Sequence, residues 1–382
     1  MNITNLSLLA DAKAAPLLVL KVGSSLLIGR DGVPRREWLT ALVGEIAEAR
    51  ARGQQVIVVS SGAIALGAAR LKLPRGGRAS LADAQAAAAV GQIALAGLWA
   101  ELLAARDPTA AQLLVTLEDL EDRRRYLNAA ATIGRLLKAG AVPVINENDS
   151  VATAEIRFGD NDRLAARVAQ AARADAVVLL SDIDGLYDRD PRDPQAQMLP
   201  LVEGVTDAIH AMATSGSASG MGSGGMRSKL QAAEIAERAG IVLAIINGTH
   251  ERPFARALAA DRGTLFMPRR NDTARKAWLG GRQRLSGTMV VDAGCAAALR
   301  KGGSLLASGI VAVEGSFERG DPVAIVVKGG PDEQGRAVAQ GLAEYGANEV
   351  DRIRGHRTEE HEALLGYAPR SAVVHRDHLV LL

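Results

Sequence analysis

The residues able to do chemistry in this chain gather in short loops that follow apolar runs. Leu17–Val22 leads straight into Lys21-Val22-Gly23-Ser24-Ser25. Glycine there lets backbone N–H groups approach a phosphate, the serine hydroxyls can donate, and Lys21 adds a positive charge at a strand end. A plain turn with a solvated lysine would use the same residues, so this motif alone decides nothing. Ser60-Ser61-Gly62-Ala63 repeats the arrangement ahead of Ile64, Leu66 and Gly67, where Ser61 is either a helix cap or a ligand donor. Neither loop carries the Gly-Lys-Ser/Thr ending of a Walker A motif, which excludes the P-loop NTPases.

Two acidic and amide clusters are more specific. Asn146-Glu147-Asn148-Asp149 follows an apolar run, and Gly159-Asp160-Asn161-Asp162 precedes the helical pattern of Leu164, Ala165 and Val168. Capping is expected to account for at least one of Asp160 and Asn161. The remaining carboxylates and amides suit orienting a cationic amine, holding hydrated Mg²⁺, aligning catalytic lysines or abstracting a proton. A third dense loop runs from Ser181-Asp182 to Asp190-Pro191. Finally, Gly222-Ser223-Gly224-Gly225-Met226-Arg227-Ser228-Lys229 enters the helix of Leu230, Ala233 and Ile235, so a glycine loop, a helix N-terminus and a lysine coincide. A lysine on the first turn opposes the helix dipole and calls for a negative partner, a role that a nucleotide phosphate fills.

The elements that must position these loops follow from patterning. Residues 17–22, 56–59, 142–145, 177–180 and 241–246 are near-continuous apolar runs, the signature of parallel strands covered on both faces. Between the first two, Trp38, Leu39, Leu42, Val43 and Ile46 recur at helical spacing until Gly53. The fold class is therefore α/β, a three-layer αβα sandwich with a mostly parallel central sheet. Residues 84–105, rich in alanine but interrupted by Gln85, Gln92 and Glu101, read as a buried helix. The glycine-rich stretch 214–226 reads as a mobile loop.

The pattern changes near Met267. Residues 268–287 hold Arg269, Arg270, Arg275, Lys276, Arg282 and Arg284 against Asp272 alone, a basic linker after a domain of residues 1–267. Beyond it, short apolar runs at 288–291, 310–313 and 323–327 are separated by Glu314-Gly315, Arg319-Gly320-Asp321 and Gly329-Gly330. These are turn signals, so residues 288–382 form a small, mostly β domain.

Composition bounds the rest. The 382 residues are 48% apolar and 23% charged, which excludes disorder, while 40 glycines and 3% aromatics mark a glycine-loop protein. A formal charge of +2 is too small to dictate a nucleic-acid or membrane partner. The single Cys295 excludes an intrachain disulfide, fits a reducing compartment and reads as a small buried residue. No Lys or Arg precedes the first Leu-Ser-Leu-Leu run, so export is not expected and a cytoplasmic location is. The six histidines form no His-Glu-x-x-His pattern, and His375-Arg376-Asp377 lacks the companions of a kinase catalytic loop, which makes the triplet structural. Arg123, Arg124 and Arg125 face either solvent or a neighbouring subunit.

Taken in order, Lys-Val-Gly-Ser-Ser at Lys21, Ser-Ser-Gly-Ala at Ser60, Asn-Glu-Asn-Asp at Asn146, Phe-Gly-Asp-Asn-Asp at Phe158, Ser-Asp-Ile-Asp-Gly-Leu-Tyr at Ser181 and the loop at Gly222 resemble the amino acid kinase superfamily. Within it they most resemble the glutamate 5-kinase family. Val313 to Asp321, Gly341 to Tyr345, Leu365 to Tyr367 and His375 to Leu379 resemble the appended PUA domain. Ser60, Ser181 and Ser223 stand where threonine is usual.

The resemblance implies ATP-dependent phosphorylation of the side-chain carboxylate of L-glutamate, the first step toward proline, with Mg²⁺ accompanying ATP. It places Lys21 and Lys229 beside the transferring phosphoryl group and Asp162 as their organiser. Ser61, Asp149 and Asn161 would bind glutamate. Ser181 and Asp182, together with Ser223, Gly224, Gly225, Met226, Arg227, Ser228 and Lys229, would bind the nucleotide. It names no protein ligand for the metal. It further implies inhibition by proline, a dimer or tetramer, and hand-over of the labile product to the next enzyme.

Alternatives remain: a kinase of the same fold acting on aspartate, N-acetylglutamate, carbamate or a nucleotide, and RNA binding through the C-terminal domain. Residues 288–382 carry ten Lys/Arg against thirteen Asp/Glu, with Phe317, Tyr345 and Tyr367 as the aromatics. RNA readers combine a basic surface with stacking rings, so RNA is not expected.

Overall fold

A computed structural model describes residues 3–29, 31–106, 108–151, 160–213, 225–268, 285–327, 336–367, 370 and 372–382, without the side chains of 123, 124, 160 and 377. The chain divides into two compact units, Met1–Asn271 and Asp272–Leu382.

In the first unit the elements run β1 (Leu17–Val22), α1 (Ser24–Leu27), α2 (Arg36–Ala51), β2 (Gln55–Ser60), α3 (Ala63–Leu71), α4 (Leu81–Ala104), β3 (Ala110–Val115), α5 (Leu117–Glu121), α6 (Arg123–Lys138) and β4 (Val142–Glu147). They continue with α7 (Asp160–Ala172), β5 (Ala176–Ser181), β6 (Leu186–Tyr187), β7 (Met198–Leu199), β8 (Leu201–Glu203), α8 (Asp207–Met212), α9 (Met226–Arg238), β9 (Val242–Asn247), α10 (Pro253–Ala260) and β10 (Thr264–Met267). One eight-stranded sheet has the order β3-β4-β2-β1-β5-β9-β10-β8. From β3 to β9 the neighbours are parallel; β10 runs antiparallel to β9 and parallel to β8. β6 and β7 form a separate hairpin.

Strand side chains alternate between faces, and the sheet accordingly separates two cores. Leu18, Leu20 and Val22 of β1 join Val56, Val58, Val142 and Val144 under α2, α4 and α10. Leu17 and Val19 join Ile57, Val59, Ile145, Val177 and Leu179 under α6, α7 and α9. Leu6 and Leu9 of the N-terminal run are buried in the first of these cores.

The helix expected to be buried over 84–105 is α4, and it is buried along one face only. By length and composition it could cross a membrane, yet 39% of its most apolar window is buried and Ile93 is 77% exposed. Its inner face crosses α3 at backbone contact. A Cβ at Gly67 would lie 1.8 Å from the Ala87 carbonyl oxygen, and one at Gly91 would lie 1.8 Å from that of Ala63. Only glycine fits at either position.

The second unit is a five-stranded mixed sheet, β12-β11-β13-β14-β15, made of β11 (Gly287–Val291), β12 (Ile310–Gly315), β13 (Pro322–Val327), β14 (Arg336–Leu342) and β15 (Leu379–Leu381). Its own core includes Met289, Ile325, Tyr345, Val350 and Val374. Gly287 opens β11, while 269–284 of the basic stretch lie outside the described residues. Cys295 is half-buried instead of buried, and burial, with Asp292 beside it, pushes its thiol up to about 11. His375-Arg376-Asp377 sits at a structural turn, where the Arg376 N–H donates to Ser304 Oγ at 2.9 Å.

Candidate active site

Lys21 shares the face of Leu17 and Val19, the side covered by α7 and α9. Alternation along β1 therefore delivers its ammonium group to the first turns of those two helices. Asp162, on the first turn of α7, receives it at 2.6 Å. Lys229, on the first turn of α9, reaches the other oxygen of the same carboxylate at 3.0 Å. Ser228 Oγ donates to that oxygen as well, at 3.0 Å. Asp162 is wholly buried, and each lysine is 7% exposed.

Charge at this point is lopsided. Burial by itself would raise the Asp162 carboxyl, but the two ammonium groups outweigh it and hold the group far below the usual carboxylate range. Burial, together with Lys229, pushes the Lys21 ammonium down, opposed by Asp162. Two cations against one anion leave a net positive charge in a desolvated place. The negative partner that Lys229 calls for on its helix turn includes Asp162, within the protein itself.

A second cluster lies on the other face of the sheet edge. Ser60 falls on the same strand face as Val56 and Val58, and Asn146 on that of Val142 and Val144, so both aim toward α4. Trp99 Nε1 donates to Ser60 Oγ at 2.9 Å, and Asn146 Nδ2 donates to Gln92 Oε1 at 2.8 Å. Asn161 spans the two clusters through the backbone of α7. Its Nδ2 donates to Ser61 Oγ at 2.8 Å and to Asn146 Oδ1 at 3.3 Å. Its Oδ1 is buried with no hydrogen-bond partner among the described residues.

Capping does not account for these polar side chains. α3 takes Gly62 as its N-cap, at φ 115°, with no side-chain cap, which leaves the Ser61 hydroxyl to Asn161. α7 starts at Asp160, so Asn161 and Asp162 sit inside its first turn instead of capping it. α9 begins after Gly225, again with no side-chain cap. Helix starts without caps hold unsatisfied N–H groups, the donor set that a phosphate requires.

The structure brings Lys21, Lys229, Asp162 and Ser228 together, and Ser61 with Asn161. Asp149 is buried in the turn after β4, in electrostatic reach of the Arg78 guanidinium. Ser181 is buried at the end of β5, its hydroxyl 3.3 Å from Asp182 Oδ1, and Asp182 acts on the Lys21 charge. Gly225, Met226 and Arg227 occupy the cap and first turn of α9. Ser223 and Gly224, the rest of the 214–224 loop, and Phe158 with Gly159 lie outside the described residues.

Comparison with known proteins supplies the assignment. The model of the amino acid kinase family matches residues 16–247, more than half of the chain. The chain belongs to the amino acid kinase family. A PUA domain model matches residues 287–365. A glutamate 5-kinase of Novosphingobium aromaticivorans is 68% identical over 382 residues, 100% of both chains. Those of Sphingopyxis alaskensis and Zymomonas mobilis are 61% and 53% identical, covering 97% and 96% of this chain and 98% and 91% of their own. Among solved structures, a Giardia lamblia carbamate kinase bound to AMP-PNP overlays 66% of this chain and 99% of its own at a TM-score of 0.49 and 14% identity.

Reading the sequence missed three residues of this amino acid kinase site: Gln92, Trp99 and Arg78. For the first two a signal existed. Gln85, Gln92 and Trp99 recur every seventh residue in an otherwise alanine-rich helix, which puts one polar-capable stripe on one face. Arg78 stands in a loop whose spacing carries no such pattern. Of the arginine triplet, Arg125 faces solvent and pairs with Asp119 at 2.8 Å.

Proposed function

We propose that this kinase transfers the γ-phosphoryl group of ATP to the side-chain carboxylate of L-glutamate, giving γ-glutamyl phosphate. The observation that carries this reading is the buried Lys21–Asp162–Lys229 cluster at the sheet edge. A glutamate side chain has a pKa of about 4.3, so the nucleophile is already ionised at neutral pH and needs no general base. The obstacle is repulsion between that carboxylate and the phosphates. Lys21 and Lys229 meet it from the two sides of Asp162, and the uncapped starts of α3 and α9 add N–H donors.

Asp162 aims both lysines, which fixes the geometry before substrates arrive. Ser61, Asp149 and Asn161 fit the amino acid end, with the open Asn161 Oδ1 suited to an α-ammonium group. Ser181, Asp182 and the 223–229 segment fit the nucleotide end. Bound ATP supplies the phosphoryl group, and Mg²⁺ on its phosphates neutralises their charge.

High identity to full-length glutamate 5-kinases favours glutamate over aspartate or N-acetylglutamate. Proline inhibition, a dimeric or tetrameric assembly and hand-over of the acyl phosphate accompany this reading. The test incubates the protein with ATP, Mg²⁺ and hydroxylamine, and compares hydroxamate formed from the three amino acids, with and without millimolar proline. Glutamate should dominate and proline should suppress it; equal or greater yield from aspartate or N-acetylglutamate would overturn the substrate assignment.

A further inference from the structure

We infer that Gln92, on α4, is a positioning residue that sets which way the amides at the amino acid end of the site face, and so makes that end selective for an α-ammonium group. The inference rests on the glutamate reading above.

An amide side chain has one donor end and one acceptor end, and only its neighbours decide which points where. Gln92 Oε1 takes the Nδ2 of Asn146 at 2.8 Å. Asn146, buried at 2% exposure, must then present Oδ1 on its other side. That oxygen receives Asn161 Nδ2 at 3.3 Å, and the same Nδ2 donates to Ser61 Oγ at 2.8 Å. With its donor end committed twice, Asn161 leaves Oδ1 as its open end, and that atom is buried without a partner among the described residues. A buried acceptor lacking a donor is costly, so the ligand that completes it must bring a donor, which an α-ammonium group does and an acceptor does not. The polarity passes from Gln92 through Asn146 to Asn161.

Gln92 is held in place for this role. It lies seven residues before Trp99 on α4, which is anchored by its own bond to Ser60, and next to Gly91, where α4 meets the backbone of α3. Its oxygen therefore has little freedom to move away from Asn146.

The test compares glutamate with glutarate, which lacks the amino group, as the measure of discrimination. Gln92→Met keeps the side-chain size and removes the strong acceptor. We expect its preference for glutamate over glutarate in kcat/KM to fall about tenfold, through the KM for glutamate. Its kcat and KM for ATP should stay within about twofold of wild type. Gln92→Glu restores an acceptor toward Asn146 and should keep or widen the preference. The inference is overturned if Gln92→Met discriminates as wild type does, if its loss falls on kcat or on ATP, or if Gln92→Glu loses discrimination. Should wild type form no γ-glutamyl hydroxamate, the glutamate reading itself fails, a result separable from these.

Discussion

The two halves of the site are finished to different degrees. On the α7/α9 face, Asp162 pairs with the Lys21 charge at one oxygen and accepts from Lys229 and Ser228 at the other, so the ionic half is held together by the protein's own charges. On the α4 face, the chain of amides ends in an acceptor with no donor. A finished cluster holds its geometry whether or not a ligand is present, and its value appears when charge develops during reaction. An unfinished one gains its last bond from the ligand, and its value appears in affinity and selectivity. The difference teaches where turnover and recognition should separate under mutation.

The sharpest way to break this contrast is to remove a cation. Lys21→Ala or Lys229→Ala should lower kcat by about 10²- to 10³-fold, the usual loss when one donor to a developing charge is deleted. The far-ultraviolet circular dichroism of each variant should match wild type. Near-normal turnover in either variant would take that lysine out of the reacting centre.

Asp162→Asn probes the same half through stability. The folded carboxyl is held below its unfolded value of about 3.9, because the two ammonium groups outweigh the burial that would raise it. Its contribution is therefore present above that unfolded value and is lost as pH falls through the folded one. Urea unfolding should show the variant about 3 kcal/mol less stable than wild type near pH 7, the scale of a broken buried ion pair. The gap should narrow below about pH 4. A gap that stays constant from pH 6 to pH 3 would mean that charge is not what Asp162 contributes.

How much of this was legible in the sequence follows the same division. β1, β2, β4, β5 and β9 announce themselves as continuous apolar runs because helices cover both of their faces. β3 does not, since it lies at the sheet edge with half-exposed residues, and the reversal at β10 depends on pairing with β9, which no local pattern encodes. Lys21, Asp162 and Lys229 could be named from their loops. That Asp162 would serve both lysines followed from the family resemblance and from no local pattern, because the contact with Lys229 joins residues 67 positions apart through the packing of α7 on α9. Asn146 and Gln92, 54 positions apart, meet only after β4 and α4 are in register.

The smallest expected effect tests whether α4 acts as a local strut or as a general lever. Its N-terminus is closed conventionally: Ser80 Oγ accepts from the Asp83 N–H at 3.1 Å, unlike the uncapped starts of α3 and α9. Ser80→Ala leaves that N–H group to water and should cost about 1 kcal/mol, read as a small drop in the urea midpoint. Between Ser80 and Gln92 the helix is clamped against α3 by the Gly67 and Gly91 contacts, so fraying of the first turn should stop there. The KM for glutamate, the preference over glutarate and kcat should all remain within about twofold of wild type. If instead Ser80→Ala lowers the preference as far as Gln92→Met does, discrimination depends on the seating of the whole helix. The amide half would then owe its selectivity to α4 as a rigid body and not to the one oxygen that faces Asn146.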